Sequence, residues 1–415
     1  MATSEHRRQL SHILRRLQFA PRPGQIAELE ELSIDKAVQQ IIDSDTPVLL
    51  EGEPLRNLEA RIEDGDWDDL ALWYLGRVTA ADSGFHERMV WFWHTHLTSS
   101  SEETRDRLMV RQHALFRTHA LGNFRDLLKA VTIDGAMLNW LDGDQSRGEA
   151  PNENYAREMM ELFALGPGAY TEDDIRIAAR ALSGWQVDYE TSDVRFDPGD
   201  HYSRPMRFMG ERRTWDVESI VDKVCDQPEC ARHVASSLFQ FLIGTEPTEA
   251  ELDELATEFR ASNLDILTLV QAIVALPTFT AGNPARARNA VEWLVATMAV
   301  FGPEAAEPEY WWLDHLAQVP FQPPNVGGWA KDDRWVGASQ QLIRTSILLE
   351  FELSDAIVRD VEPTPDAVLA HCGIFDATDT TRNAMTAAIE AQTEFNHGLE
   401  LLFVLALTSP EFAHI

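Results

Sequence analysis

The stretch 152–165, NENYAREMMELFAL, holds the densest set of side chains in the sequence that could do chemistry. At helical spacing Asn154, Glu158 and Glu161 fall on one side, and Glu153 and Arg157 form a neighbouring i, i+4 pair. Two carboxylates one turn apart can ligate a metal or divide acid and base roles, while Arg157 or Arg180 orients an anionic group. The same carboxylates could instead pair with an arginine such as Arg111, Arg125 or Arg180 and serve only as scaffolding.

The loop ahead of that helix has a second pattern. Asp142, Asp144, Ser146 and Glu153 occupy positions 1, 3, 5 and 12 of a helix-flanked stretch, the spacing of a calcium loop. The sixth position is Arg147 where a sharp turn needs glycine, and Gly148 comes one place late, so the motif is degenerate.

Histidines supply a third set: His94, His96, His119 and His201. On one helix His94 and His96 point about 200° apart, so they cannot share a metal there, and His96 is the better candidate. With His119, His201 and Glu158 it would make a His/carboxylate site for a divalent metal such as zinc, manganese or iron. Signatures of a serine nucleophile, a phosphate-cradling glycine loop or a zinc-protease helix are absent from the sequence. Trp311, Trp312, Trp329 and Trp335 could stack on sugar rings or complete a core.

Helices must position these groups. Apolar residues recur at three- and four-residue steps through most of the sequence, with Asn123, Asp134 and the Thr171/Asp174 pair as helix starts. Ser100 and Glu103 stand in a capping-box relation and predict another start. The helical period fails between Gln186 and Gly210, where VDYE, DVRF and MRFM alternate. The expectation is a mainly α, multi-helical bundle-like assembly with one small irregular or β-hairpin excursion near 186–210. It is a single unit over 1–415, loosely divided into a motif-bearing half 1–185, the excursion 186–215 and a C-terminal half 216–415.

A formal net charge of -33 argues against a nucleic-acid partner, which needs a basic footprint to release counterions. No apolar run is long enough to span a membrane, and the start lacks the apolar core of a secretory signal. As written the chain is expected in the cytoplasm; a trimmed mature form would be exported. Cys225, Cys230 and Cys372 have no metal or redox spacing and are expected to be reduced.

In order, WFWHTHL, RTHALGNFRDLL, PNENYAREMMELFALG, YTEDDIRIAARALSGW, FDPGDH and FQPPNVGGW resemble the bacterial "domain of unknown function 1800" family. The match runs from HILRRLQF to LTSPEF. The resemblance implies a helical fold, frequent export and an alkaline-phosphatase-like protein partner, but no established reaction. His96 stands at the family position. His201 is followed by Tyr202 where the family usually has Asp, which bears on any role for that carboxylate. The functional expectation is a metal-assisted, hydrolytic enzyme of unknown substrate; the alternative is a non-catalytic helical scaffold or adaptor.

Overall fold

The computed structural model describes residues 4–415 apart from 23, 45–46, 66–67, 81–83, 282–285, 303–304, 332 and 392–394. The fold is mainly α, with two small two-stranded antiparallel sheets among the described residues. Several helices begin where the sequence offers a side-chain oxygen to otherwise unbonded amides. Asn123 accepts from the amides of Arg125 and Asp126, and Asp134 from that of Met137. Thr171 with Asp174, Asp216 with Ser219, Thr248 with Glu251 and Asn289 with Glu292 form reciprocal capping boxes.

The box expected at Ser100 and Glu103 does not form. The next helix is Asp106–His119, and Ser100 Oγ accepts instead from the amide of Glu102. Ser101 N donates to Phe321 O at 2.7 Å, so the backbone there is spent on a distant loop rather than on a helical turn.

The excursion is two hairpins rather than one. Strand β1 (Trp185–Asp188) pairs with β2 (Asp193–Phe196), with Trp185 opposite Phe196. Strand β3 (Met206–Phe208) pairs with β4 (Glu211–Arg213). Met209 and Gly210 both have positive φ, 41° and 84°, as a two-residue turn matching the strands' twist requires.

Two apolar clusters make the core. One joins the first helices to the helices between Phe124 and Phe279; the other joins Leu58–Val78 to the segments from Ala287 onward. The Phe85–His96 helix lies between them, sending Met89, Phe92 and Trp93 into the first and Trp91 into the second. Such a helix buries polar residues too, and each needs a partner.

Glu292 is the clearest case. Its Oε1 accepts from Arg88 Nη1 at 2.6 Å and Arg286 Nη2 at 2.7 Å, and its Oε2 from Arg286 Nη1 at 2.7 Å and Asn289 N at 3.2 Å. All four acceptor directions of the carboxylate are thereby used. Burial alone would raise its pKa; Arg286 and Arg88 outweigh burial and hold it well below the usual carboxylate range. A depressed folded-state pKa contributes stability above the unfolded value, about 4.3, that fades as pH falls below it. Glu292→Gln should therefore cost about 3–5 kcal/mol near neutral pH, because it strands the buried guanidinium of Arg88 and the partly buried one of Arg286. Denaturant titrations of the variant at falling pH should show the gap to the wild type narrowing below about pH 4.

Candidate functional site

The carboxylate-bearing helix is not one regular α-helix. Asn154–Glu158 is α-helical, and Met159–Ala164 continues as a π-helix, with Leu165 N donating to Met160 O at 3.0 Å. A π turn is wider than an α turn and recurs at functional sites. The segment ends at Gly166, whose φ of 78° suits glycine, leaving terminal carbonyls that need donors from outside.

Two imidazoles fill that need. His96 Nε2 lies 3.0 Å from Phe163 O and His233 Nε2 2.8 Å from Leu162 O. A carbonyl only accepts, so both rings carry their proton on Nε2. The rings stand 6.0 Å apart, and His96 also stacks on Phe92 at 5.4 Å. Burial first, and the neighbouring His233 next, push the His96 pKa down to about 3. His96 is thus a neutral donor that terminates the π segment. His233, which does the same on the next carbonyl, was missed from the sequence because it lies 67 residues beyond Gly166 with no local pattern.

The carboxylates sit further up the same helix. Glu161 accepts from the Tyr170 hydroxyl at 2.9 Å. Glu158 is half-buried, and its pKa is raised by burial and by the charge of Glu161, with Arg157 opposing. Arg157 makes a forked pair with Glu172, both bonds 2.8 Å, and approaches Glu153 at 3.5 Å. The expected scaffold partners go elsewhere. Arg111 binds Glu59 at 2.6 Å, Arg125 binds Asp226 at 2.9 Å, and Arg180 lies over the Tyr202 ring at 5.1 Å.

The calcium-spaced residues have partners of their own. Asp142 accepts from Asn154 Nδ2 at 3.1 Å, Asp144 from the Tyr189 hydroxyl, and Ser146 from Asn152 N at 3.1 Å. His201 Nδ1 is 3.1 Å from Ser183 O beside the first hairpin. His119, at the end of the Asp106–His119 helix, has its pKa lowered by burial, with Asp126 opposing. His96, His201 and His233 each face a different carbonyl. Among the described residues no three His, Cys, Asp or Glu side chains come together in a way that could hold a metal ion.

A cavity of about 120 Å³ opens at the end of the Phe85–His96 helix. Trp91, Phe92, Thr95 and His96 line one wall, and Trp329, Ala330, Lys331 and Trp335 line another. The glycine-rich loop is clamped to the helix end: Thr98 Oγ1 donates to Val326 O at 2.5 Å, and Phe321 N donates to His94 Nε2 at 3.0 Å. Gly328, with φ of 78°, comes so close that a Cβ would stand 3.1 Å from Thr95 O. Trp329 stacks on Trp91 at 5.8 Å.

Ser237, Gln240, Arg286 and Asn289 contribute polar groups to the cavity. Lys331 is exposed as a residue, yet protein surrounds its amine closely enough to lower its pKa, with Glu246 opposing. Of the four tryptophans named from the sequence, Trp329 and Trp335 reach this cavity. Trp312 instead donates to Glu350 at 2.9 Å and stacks on Phe351, and Trp311 packs edge-on against His315.

Fold and site thus define a multi-helical protein with an aromatic-walled cavity and a carboxylate-bearing π-helix. Residues 12–414 match the family described as "Protein of unknown function (DUF1800)", and the chain belongs to that family. No curated protein and no solved structure matches it.

A neutral, bonded His96 gives a spectroscopic expectation. Imidazole ¹⁵N–¹H correlation spectra should show His96 protonated at Nε2 alone between about pH 5 and 8, the range in which an exposed histidine titrates. Gly166→Ala places a side chain in the left-handed region, 3.0 Å from His233 Nδ1. It should lower unfolding free energy by about 1–2 kcal/mol in denaturant titrations.

Proposed function

We propose that this protein binds a small, single-ring polar ligand of saccharide type in the cavity between Trp91 and Trp335. One observation carries the reading: WFWHTHL and FQPPNVGGW, two segments that bear the family resemblance and lie more than two hundred residues apart, both supply its walls. Indoles offer flat apolar faces to the C–H side of a sugar ring, while Thr95, Ser237, Gln240 and Asn289 offer hydrogen bonds to its hydroxyls. The volume favours one ring over a large ligand, since pockets for drug-sized molecules run from about 300 Å³ upward. Titration of the whole protein with a monosaccharide and uronic-acid panel should quench tryptophan emission. Trp329→Ala should weaken binding about tenfold, the equivalent of about 1.4 kcal/mol. A panel that leaves emission and melting temperature unmoved would end this reading.

A second reading, the metal-assisted hydrolase, draws on Glu158. Its raised pKa beside Glu161 is the state that a bound cation would reverse, and a carboxylate so placed could act as base to metal-activated water. Under that reading added manganese or zinc raises the melting temperature of the wild type but not of Glu158→Gln. Equal responses, or none, would leave Glu158 and Glu161 as part of a helical scaffold that partners another protein.

A further inference from the structure

Near Glu292 the interior holds more positive charge than that carboxylate can balance. Arg15, Arg88, Arg288 and Arg344 are all buried, the last two at 1% and 0% exposure. Glu292 pairs with Arg88 and Arg286, and Arg15 has the charges of Asp376 and Glu411 in its surroundings. Arg288 and Arg344 have no ion-pair partner among the described residues.

Their remaining contacts are to backbone and rings. Arg288 Nη1 donates to Phe412 O at 2.8 Å, and Arg344 Nη2 donates to Arg288 O at 3.3 Å. Arg288 lies over Phe412 at 4.5 Å, and Arg344 over Trp293 at 5.0 Å. An aromatic ring covers the face of a guanidinium but accepts none of the N–H groups in its plane. Nε and Nη2 of Arg288, and Nε and Nη1 of Arg344, are buried with no acceptor among the described residues. Water could accept these bonds, but it would not neutralise two extra cations in a low-dielectric interior.

A small oxyanion supplies both in-plane acceptors and compensating charge, and guanidinium forks match its geometry. We infer that Arg288 and Arg344 form an internal site for a phosphate- or sulfate-sized oxyanion, held as a structural counter-ion in the helical core. The inference is independent of the sugar and metal readings, which concern other residues.

The test compares melting temperatures of the full chain in phosphate, sulfate and chloride at matched ionic strength, because screening alone stabilises a protein of net charge -33. Phosphate or sulfate should raise the melting temperature roughly 2–4 °C above chloride. Arg288→Lys and Arg344→Lys keep the charge but lose the fork, and each should abolish most of that difference. Arg147→Lys, at an exposed position, should retain it. Crystals grown with selenate should show an anomalous peak beside Arg288 and Arg344, a measurement that needs no variant to fold. No oxyanion-specific shift, a shift undiminished in both lysine variants, or a selenate peak confined to the surface would each overturn the inference.

Discussion

The carboxylate of Glu292 is the interaction on which the rest of the core depends. It caps the Ala290–Phe301 helix through Asn289 and takes Arg88 from the Phe85–His96 helix and Arg286 from the segment before its own helix. Arg88 in turn lies over Phe241 at 4.3 Å and over Phe19, a residue of the second apolar cluster, at 5.3 Å. Phe241 is partly buried between both clusters. One charge network therefore fixes the central helix against both halves of the core. A buried ion pair adds little net stability over an apolar replacement, but breaking one side of it is costly, and that asymmetry favours a single packing arrangement.

The fixed helix has two consequences for the site. Its exit at His96 meets the end of the π segment, so His96 and His233 satisfy carbonyls that the helix itself leaves open. Its last turn also meets the glycine-rich loop, where Gly328 permits the close approach that brings Trp329 onto Trp91. Cavity and π-helix are thus joined through one residue, His96, which lines the first and terminates the second. Neutral histidine suits both places: a buried imidazolium would need a counter-charge, whereas a neutral ring needs only the carbonyl it has.

The carboxylate helix shows how sequence spacing and structure can differ without either being odd. The i, i+4 relation of Glu153 and Arg157 survives in the α portion, where Arg157 also reaches the next helix at Glu172. Beyond Glu158 the π turn changes the angular step per residue. Glu161 then meets Tyr170, while burial first and the charge of Glu161 next raise the pKa of Glu158. A constant helical step could not register that change, since nothing in MMELFA marks a π turn locally.

The mainly helical class, the caps at Asn123, Asp134 and Thr171, and the break near the hairpins were legible in the sequence, because hydrophobic period and capping are properties of a few neighbouring residues. Which of the flagged groups meet was decided only by tertiary structure. His96 turned to a carbonyl 67 residues away, Asp144 to Tyr189, and the tryptophans divided between a cavity and a core. Those outcomes follow from long-range packing, where each buried polar group takes the nearest partner the fold supplies, and a linear sequence does not state which partner that will be.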